Sequence, residues 1–263
     1  MAKAKHTLSA RRVVLTRADG ANDNWRAELE QRGATVLELP LVSVELGAHA
    51  SAAEDILQSL GTYEWIVFTS PNGVRGFFKS FFEKYKDIRC LGPSRIACVG
   101  KATAAELDRV HIQTDILPDE ATGDALAEAL LAADNLENLK LLLVTGNRNR
   151  DTLEQRLIAD GQAIVDTFTV YETKDADAAS ASDIESFREK GADAVVFASP
   201  SAVESFVSQL SRLKPREGAT LPKVVAIGPV TAAAVKQAGI PLAAEAAAPS
   251  AAGIAEALEK LFR

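Results

Sequence analysis

Residue types that build disulfides, metal centres and membrane spans are scarce in this chain of 263 residues. Its two cysteines, Cys90 and Cys98, form no C-x-x-C pair and have no histidine at metal-ligand spacing. We therefore expect two reduced thiols, no bound metal and a reducing, cytoplasmic compartment. The chain has no apolar run long enough to cross a bilayer, and its basic first residues lack an apolar core. We expect neither a membrane span nor a secretory signal.

Cofactor motifs and catalytic triads are also missing. The chain has no G-x-x-x-x-G-K-[ST] loop for a nucleotide and no G-x-G-x-x-G turn for a dinucleotide. Its histidines, His6, His49 and His111, are interpreted as structural or solvated. The net charge of −7 argues against a nucleic-acid partner. If the chain is an enzyme, we expect it to use no cofactor and to work by binding and orienting a reactive substrate.

The chain does contain an internal repeat. Residues 67–71 (VFTSP) recur 129 positions later as 196–200 (VFASP). Residues 99–104 (VGKATA) recur 128 positions later as 227–232 (IGPVTA). Two further segments keep the same order at the same offset of 128. Such agreement is hard to obtain by chance, so we infer a duplication.

Each copy alternates short, continuous apolar runs with amphipathic stretches. Continuous runs are typical of strands buried on both faces of a parallel sheet, and the stretches between them predict helices. The predicted strands are 13–15, 36–39, 65–68, 96–99, 112–116, 141–144, 164–168, 194–197, 224–227 and 240–242. The predicted helices are 25–31, 74–84, 102–109, 123–133, 152–159, 202–213, 231–238 and 251–261. The alternation predicts an α/β fold with doubly wound parallel sheets, and the β-rich segments 40–45 and 167–173 are interpreted as extended connectors between domains, outside the sheet cores.

Small polar turns follow several predicted strands, at the sheet edge where ligands bind in open parallel sheets. Each turn has two compatible interpretations: a helix cap, or backbone N–H groups aimed at an anion. The candidate binding residues are Thr69, Ser70, Asn72, Gly100, Lys101, Thr103, Ser199, Ser201, Gly228, Thr231 and Ser250. Because the Ser-Pro turn occurs twice at equivalent positions, we favour anion binding there. For Ser250 and its counterpart Thr122, a plain cap is the favoured interpretation.

Three arginines are candidates for a fork that holds a carboxylate. Arg17 ends the first predicted strand, and Arg148 and Arg150 follow the strand at 141–144. For each of them the alternative is a solvated surface side chain.

Taken together, these segments resemble the uroporphyrinogen-III synthase family. The resemblance runs from residue 13 to about residue 261 and rests on the order and spacing of 15–17 (LTR), 29–33, 68–74 (FTSPNGV), 99–104, 170–173 (VYET), 197–203 and 227–232. It implies two doubly wound, flavodoxin- or Rossmann-like domains joined by a two-stranded β ladder, with a cleft between them. On this sequence the first domain would be 1–39 plus 174–263 and the second 46–166. The ladder would be 40–45 and 167–173.

The resemblance also implies an activity. Members of the family are hydro-lyases that need no cofactor: hydroxymethylbilane, a linear tetrapyrrole carrying eight carboxylates, loses water and closes to uroporphyrinogen III with ring D inverted. Tyr171 matches the family's cleft tyrosine, proposed to assist departure of the hydroxyl. The alternative is a half-buried structural tyrosine of the ladder. The turn residues and Arg17 would bind substrate carboxylates, and Arg150 matches the family's later arginine better than Arg148 does.

Departures from the family leave other functions open. Members often have proline where this chain has Ala18, and many have arginine where it has Thr145. The alternatives are a non-catalytic two-domain protein that binds an anionic ligand and an inactive or regulatory paralogue. For the enzyme we expect a monomer, without a nucleic-acid or membrane partner and with at most a transient contact to the preceding pathway enzyme.

Overall fold

The computed structural model describes residues 7–17, 22–47, 50–149, 151–176 and 182–263. The strands are β1 (Arg12–Leu15), β2 (Thr35–Glu38), β3 (Val42–Leu46), β4 (Trp65–Phe68), β5 (Arg95–Cys98), β6 (Lys140–Gly146), β7 (Ile164–Asp175), β8 (Ala194–Phe197), β9 (Lys223–Ala226) and β10 (Leu242–Glu245). The helices are α1 (Asp23–Gln31), α2 (Ala50–Gln58), α3 (Pro71–Lys84), α4 (Lys101–Asp108), α5 (Gly123–Ala133), α6 (Thr152–Ala159), α7 (Ser182–Lys190), α8 (Pro200–Ser208), α9 (Leu210–Leu213), α10 (Pro229–Gln237) and α11 (Ala251–Leu261). Strands and helices alternate, which confirms the predicted α/β class.

The chain divides into two compact units. Unit 1 comprises Met1–Ser43 and Lys174–Arg263, and unit 2 comprises Val44–Thr173. The boundary falls inside β3 and β7, the two strands that overlap the β-rich segments of the sequence.

Unit 1 contains a sheet with strand order β10-β9-β8-β1-β2, and all neighbours in it are parallel. Side chains alternate between its faces, so Val14 joins one apolar cluster while Val13 and Leu15 join another. Both faces are covered by helices, which explains why the strands are continuously apolar in sequence.

Unit 2 contains a sheet with strand order β3-β7-β6-β4-β5. The pairs β4–β5, β4–β6 and β6–β7 are parallel. Several of the chain's few aromatic residues meet on one face, where Phe68, Phe77, Phe78, Phe81 and Phe168 make edge-to-face and stacked contacts at 5.1–6.3 Å. This cluster packs the middle of α3 against the sheet.

Four strands of each sheet follow the same order and come from exchanged pieces of the repeat: β9-β8-β1-β2 in unit 1 and β5-β4-β6-β7 in unit 2. In unit 1, β1 and β2 lie beside β8, which belongs to the second copy. In unit 2, β6 and β7 take the corresponding places beside β4, which belongs to the first copy. Equivalent loops of the two copies therefore follow equivalent strands, one set in each unit.

Strands β3 and β7 form the connecting ladder. Leu41 accepts a hydrogen bond from Ala176 N–H at 3.0 Å, and Val170 accepts one from Gly47 N–H at 2.9 Å. From the first hydrogen bond to the second, residue numbers increase along β3 and decrease along β7, so the two strands are antiparallel. The interpretation of 40–45 and 167–173 as connectors outside the sheet cores was wrong. β3 is the edge strand of the unit 2 sheet, and β7 continues without a break from the predicted strand at 164–168 and pairs with β6 from Ile164 to Tyr171.

The predicted strand at 112–116 is absent from the described sheet. Only Ile116 forms an isolated bridge, to Ala97 of β5. The Asp115 carboxylate accepts the Ile96 N–H at 2.7 Å and so replaces a backbone ladder bond. Pro118, two residues on, has no N–H to continue the pairing. The fifth strand of this sheet is instead β3, at the opposite edge.

Candidate functional site

The candidate turns lie at the carboxyl ends of parallel strands, where helices begin. In unit 2, α3 follows β4 and α4 follows β5; in unit 1, α8 follows β8, α10 follows β9 and α11 follows β10. The first N–H groups of a helix have no partner within the helix and carry its positive dipole end. Each unit therefore presents several potential anion sites along one edge of its sheet.

Ser70 caps α3. Its backbone is extended, at φ −159°, and its Oγ accepts the Gly73 N–H at 3.0 Å, while Pro71 occupies the first helical position. The same hydroxyl donates to the Tyr171 hydroxyl oxygen, 3.2 Å away. The structure thus joins two residues that are 101 positions apart in sequence and that the sequence singled out for different reasons.

The Tyr171 ring lies directly on Gly146. A Cβ atom added at Gly146 would fall 2.3 Å from the ring Cζ and 2.4 Å from Cε2, distances that no side chain tolerates. The ring reaches this place because the β6–β7 register shifts between Thr145 and Gly146. Gly146 therefore leaves the space that the Tyr171 ring occupies. The sequence did not mark this glycine as functional.

Two opposing effects act on the Tyr171 hydroxyl. Burial raises the pKa of Tyr171 above its ordinary value, because the phenolate is poorly solvated there, and the hydrogen bond from Ser70 lowers it. Burial is the larger effect, so the pKa of the side chain stays above 10. Since Ser70 donates to the oxygen, the phenol keeps its own hydrogen available for another acceptor.

The neighbouring polar residues of this turn have other partners. Thr69 donates its hydroxyl to the Val144 carbonyl oxygen at 3.1 Å, which ties the end of β4 to β6. Asn72 is half-buried in the first turn of α3 and accepts a long hydrogen bond from Arg75 at 3.4 Å. Both residues border the site, but the Thr69 hydroxyl is committed to the fold.

In unit 1 the equivalent Ser-Pro turn has a different arrangement. Ser199 caps α8 by accepting the Ala202 N–H at 3.2 Å, and its hydroxyl lies 2.9 Å from that of Ser201. The repeat offsets of 129 and 128 make Val42 or Ser43 the equivalent of Tyr171, and neither of them is a tyrosine. The two serines form a hydroxyl pair without a phenol, which suits binding better than proton transfer.

The glycine turns also differ from each other. Gly100 and Gly228 are the N-cap residues of α4 and α10. A Cβ at Gly100 would meet the Ala121 side chain at 2.9 Å, whereas nothing lies within 4 Å of one at Gly228. Gly228 therefore faces open space, and Gly100 is partly covered.

The threonines at N3 of these helices are less accessible than expected. Thr103 is 2% exposed and Thr231 is 3% exposed, so their hydroxyls offer little surface to a ligand. Lys101, at the first position of α4, is exposed. At these two turns the groups in reach of an anion are backbone N–H groups and the lysine.

The remaining candidates are dispersed. Ser250 is exposed and caps α11 by accepting the Gly253 N–H at 3.1 Å, as Thr122 caps α5. The Arg17 guanidinium stacks over Trp25 at 4.8 Å. Arg150 lies outside the described residues. Thr145, which stands where many family members have arginine, is fully buried, so its hydroxyl is out of reach of a substrate carboxylate.

No group of three or more potential metal ligands occurs within the described ranges. In the same part of the chain, no helix is both long and apolar enough to cross a membrane.

Known proteins resemble this chain over most of its length. The family model described as uroporphyrinogen-III synthase HemD matches residues 23–256. A uroporphyrinogen-III synthase from Chlorobaculum parvum is 26% identical over 230 residues, which are 87% of this chain and 89% of that protein. A porphyrin biosynthesis protein HemD from Ruminiclostridium josui is 27% identical over 233 residues, 89% of this chain but only 45% of that protein. This chain thus spans less than half of the Ruminiclostridium protein.

Solved structures share the fold. A mutant uroporphyrinogen III synthase from Thermus thermophilus superposes with a TM-score of 0.68 at 18% identity, covering 96% of this chain and 99% of that one. The uroporphyrinogen-III synthetase from Helicobacter pylori 26695 gives 0.61 at 18% identity, with coverages of 95% and 99%. The match of the family model over most of the sequence confirms the predicted relationship: the chain belongs to the uroporphyrinogen-III synthase family.

Proposed function

We propose that this chain is a hydro-lyase that converts hydroxymethylbilane to uroporphyrinogen III, with loss of water and inversion of ring D. Membership of the family supports the reaction class. The observation that carries the proposal is the hydrogen bond that Ser70, at the start of α3, donates to the Tyr171 hydroxyl oxygen. The hydrogen of the phenol is not used in this bond. A positioned, protonated phenol can assist departure of a hydroxyl group by donating its proton.

In the first step Tyr171 donates its proton to the hydroxymethyl oxygen as the carbon–oxygen bond breaks. Water leaves, and the pyrrole nitrogen lone pair fills the empty orbital on carbon to give an azafulvene. The substituted carbon of ring D attacks this electrophile to form a spiro intermediate, which opens and recloses with ring D inverted. A proton lost from the ring system restores Tyr171. The pyrroles supply all the electrons, so no cofactor takes part.

The raised pKa of Tyr171 fits this role. The phenol stays protonated at neutral pH, and Ser70 stabilises the phenolate that forms transiently. Gly146 leaves room for the ring, so that the hydroxyl is placed by contacts on two sides. Ser70 and Gly146 are positioning residues in this proposal, and Tyr171 is the catalytic residue.

The substrate carboxylates would be held by helix N-termini. A protein of net charge −7 repels a polyanion at long range, so binding depends on local donors. The binding residues that we propose are Arg17, Thr69, Ser70, Asn72, Gly100, Lys101, Thr103, Arg150, Ser199, Ser201, Gly228, Thr231 and Ser250. Of these, Gly228 and Lys101 have the best support from their open or exposed surroundings, and the half-buried Ser199 and Ser201 from their adjacent hydroxyl groups.

The proposal extends to the setting of the reaction. The chain would act as a monomer and receive its unstable substrate during a transient contact with the preceding enzyme. The thiols of Cys90, which is exposed, and Cys98 are free, which supports a reducing, cytoplasmic compartment.

The test is turnover of freshly made hydroxymethylbilane, with the isomeric products separated after oxidation. The chain should yield isomer III faster than the spontaneous closure yields isomer I. Formation of isomer I alone would leave a binding protein or an inactive paralogue as the remaining choices.

Tyr171→Phe should lower turnover about 100-fold or more, the range for loss of a general acid, with little change in stability. Tyr85→Phe is the matched control, because its hydroxyl only donates to the Leu57 carbonyl at 2.8 Å. Full activity of the Tyr171 variant would remove the phenol from the mechanism.

A further inference from the structure

Asn147 lies one residue beyond β6 and extends the pairing of that strand with β7. Its backbone N–H donates to the Tyr171 carbonyl oxygen at 3.2 Å. Its side-chain Oδ1 accepts the Thr173 N–H at 2.8 Å, and its Nδ2 donates to the Thr173 carbonyl oxygen at 3.2 Å. One amide side chain therefore gives hydrogen bonds to both backbone groups of Thr173 after the β6 strand has ended.

The part of β7 that Asn147 contacts is irregular. Thr169 and Tyr171 pair with consecutive residues of β6, and Val170 forms a bulge between them. Side chains of a regular strand alternate between the two faces of the sheet. Here Val170 is buried in one apolar cluster, and Tyr171 packs against the same cluster. The bulge thus turns the phenol to the face of the sheet where it meets Ser70.

The bulge is held by hydrogen bonds on both of its sides. Before it, the regular ladder with β6 fixes β7 from Ile164 to Thr169. After it, the three hydrogen bonds of Asn147 fix Tyr171 and Thr173. If the end of β7 slipped by one residue, the phenol would move to the opposite face of the sheet. The contact with Ser70 therefore depends on the bonds that follow the bulge.

The two residues that these side-chain bonds join differ in exposure. Thr173 is 7% exposed, whereas Asn147 is exposed. Because the Asn147 side chain lies outside the apolar clusters, its removal opens no cavity in the core. A change at this position therefore tests the hydrogen bonds and leaves the packing of the sheet intact.

We infer that Asn147 is a positioning residue for Tyr171, which keeps the phenol against Ser70 by fixing the bulged end of β7. Asn147 acts through the backbone of β7 and is not itself a catalytic residue. Its effect on turnover rests on the proposed function. Its effect on the place of the ring does not, because that can be measured without substrate.

Kinetics test the link between Asn147 and Tyr171. Asn147→Ala should lower kcat about tenfold with little change in KM, because the hydrogen bonds it removes hold the reacting group in place. In a Tyr171→Phe background the same change should cause no further loss of turnover. An unchanged kcat in Asn147→Ala, or an equal loss in both backgrounds, would overturn the inference.

Asn135→Ala is the matched control. Asn135 is also exposed, and its Oδ1 accepts a backbone N–H, that of Glu137, at 3.2 Å. This variant should keep the kcat of the wild type. A loss of kcat equal to that in Asn147→Ala would mean that any such asparagine has this effect, and would overturn the positioning role.

Nuclear magnetic resonance with tyrosine labelled with ¹³C in the ring measures the place of the phenol directly. The chain has three tyrosines, so Tyr171→Phe identifies the signal of Tyr171 by its loss. In Asn147→Ala this signal should shift or broaden, while those of Tyr63 and Tyr85 stay in place. In Asn135→Ala all of these signals should stay in place.

The spectra also separate failure of this inference from failure of the proposed function. If the chain yields only isomer I, or if Tyr171→Phe keeps full turnover, the proposed function fails and the ring signals decide the inference. A Tyr171 signal that is unchanged in Asn147→Ala would overturn the positioning role, whatever the phenol does in the reaction.

Discussion

Ser70 makes two hydrogen bonds with one hydroxyl group: it accepts from Gly73 N–H and donates to Tyr171. Ser70→Ala should therefore have two separable effects. Loss of the cap should lower the free energy of unfolding by about 1 kcal/mol. Loss of the bond to the phenol should lower turnover by about tenfold, because the transient phenolate loses a donor.

Thr122→Ala is the control for Ser70→Ala. Thr122 caps α5 by accepting the Ala125 N–H at 3.1 Å, and it is not among the proposed site residues. Chemical denaturation should give similar stability losses for both variants, and only Ser70→Ala should slow turnover. A similar loss of activity in the two variants would show that Ser70 acts through stability alone.

Two of the three tyrosines make stability sensitive to alkaline pH. Burial raises the pKa of Tyr171, and burial followed by the hydrogen bond to Asp166 raises that of Tyr63. Above the ordinary value of 10, the unfolded chain releases these protons while the folded chain keeps them. Stability from both groups is therefore complete below pH 10 and falls as pH rises above it.

The free energy of unfolding should thus decrease as the pH rises from about 10 to about 11, by at most about 1.4 kcal/mol per pH unit for each tyrosine. Urea denaturation across this range measures the slope. A chain with Tyr63→Phe and Tyr171→Phe should show a shallower decline. An unchanged slope in that double variant would contradict the assignment.

At the scale of elements, the β6–β7 pair sets the geometry of the site. Gly146 ends β6, and the register shift beside it lets the Tyr171 ring lie against the backbone. Gly146→Ala should displace the ring, because the new Cβ would lie 2.3 Å from Cζ. Turnover should then fall about as far as in Tyr171→Phe, whose loss is set by general acid catalysis.

Gly61→Ala is the matched change, since nothing lies within 4 Å of a Cβ added there. Turnover and thermal unfolding of both variants should be compared. If Gly146→Ala keeps normal turnover, the ring can move without consequence and the positioning role is wrong.

At the scale of the whole molecule, exchange of repeat pieces makes unit 2 continuous in sequence and unit 1 discontinuous. Unit 2 contains its own sheet and apolar clusters on both sheet faces. Residues 44–173 should therefore fold alone, with an α/β circular dichroism spectrum and a cooperative thermal transition. A fragment that stays unfolded would mean that the units are not autonomous domains.

Unit 1 offers a companion test of the same idea. By the antiparallel register, Ser43 and Lys174 lie opposite each other in the ladder. A two-residue Asn-Gly turn between them should close unit 1 as a hairpin in place of the whole of unit 2. Such a chain should unfold cooperatively, and failure to fold would show that unit 1 depends on unit 2.

The sequence alone determined the α/β class, the repeat and the paired helix starts, because these depend on local periodicity and capping chemistry. It also pointed to Tyr171 and Ser70, but not to their contact. Only the tertiary structure decided that Gly146 supports the ring, that Thr103 and Thr231 are buried, and that 112–116 forms a single bridge. These features depend on strand register and on side chains distant in sequence, which no local pattern records.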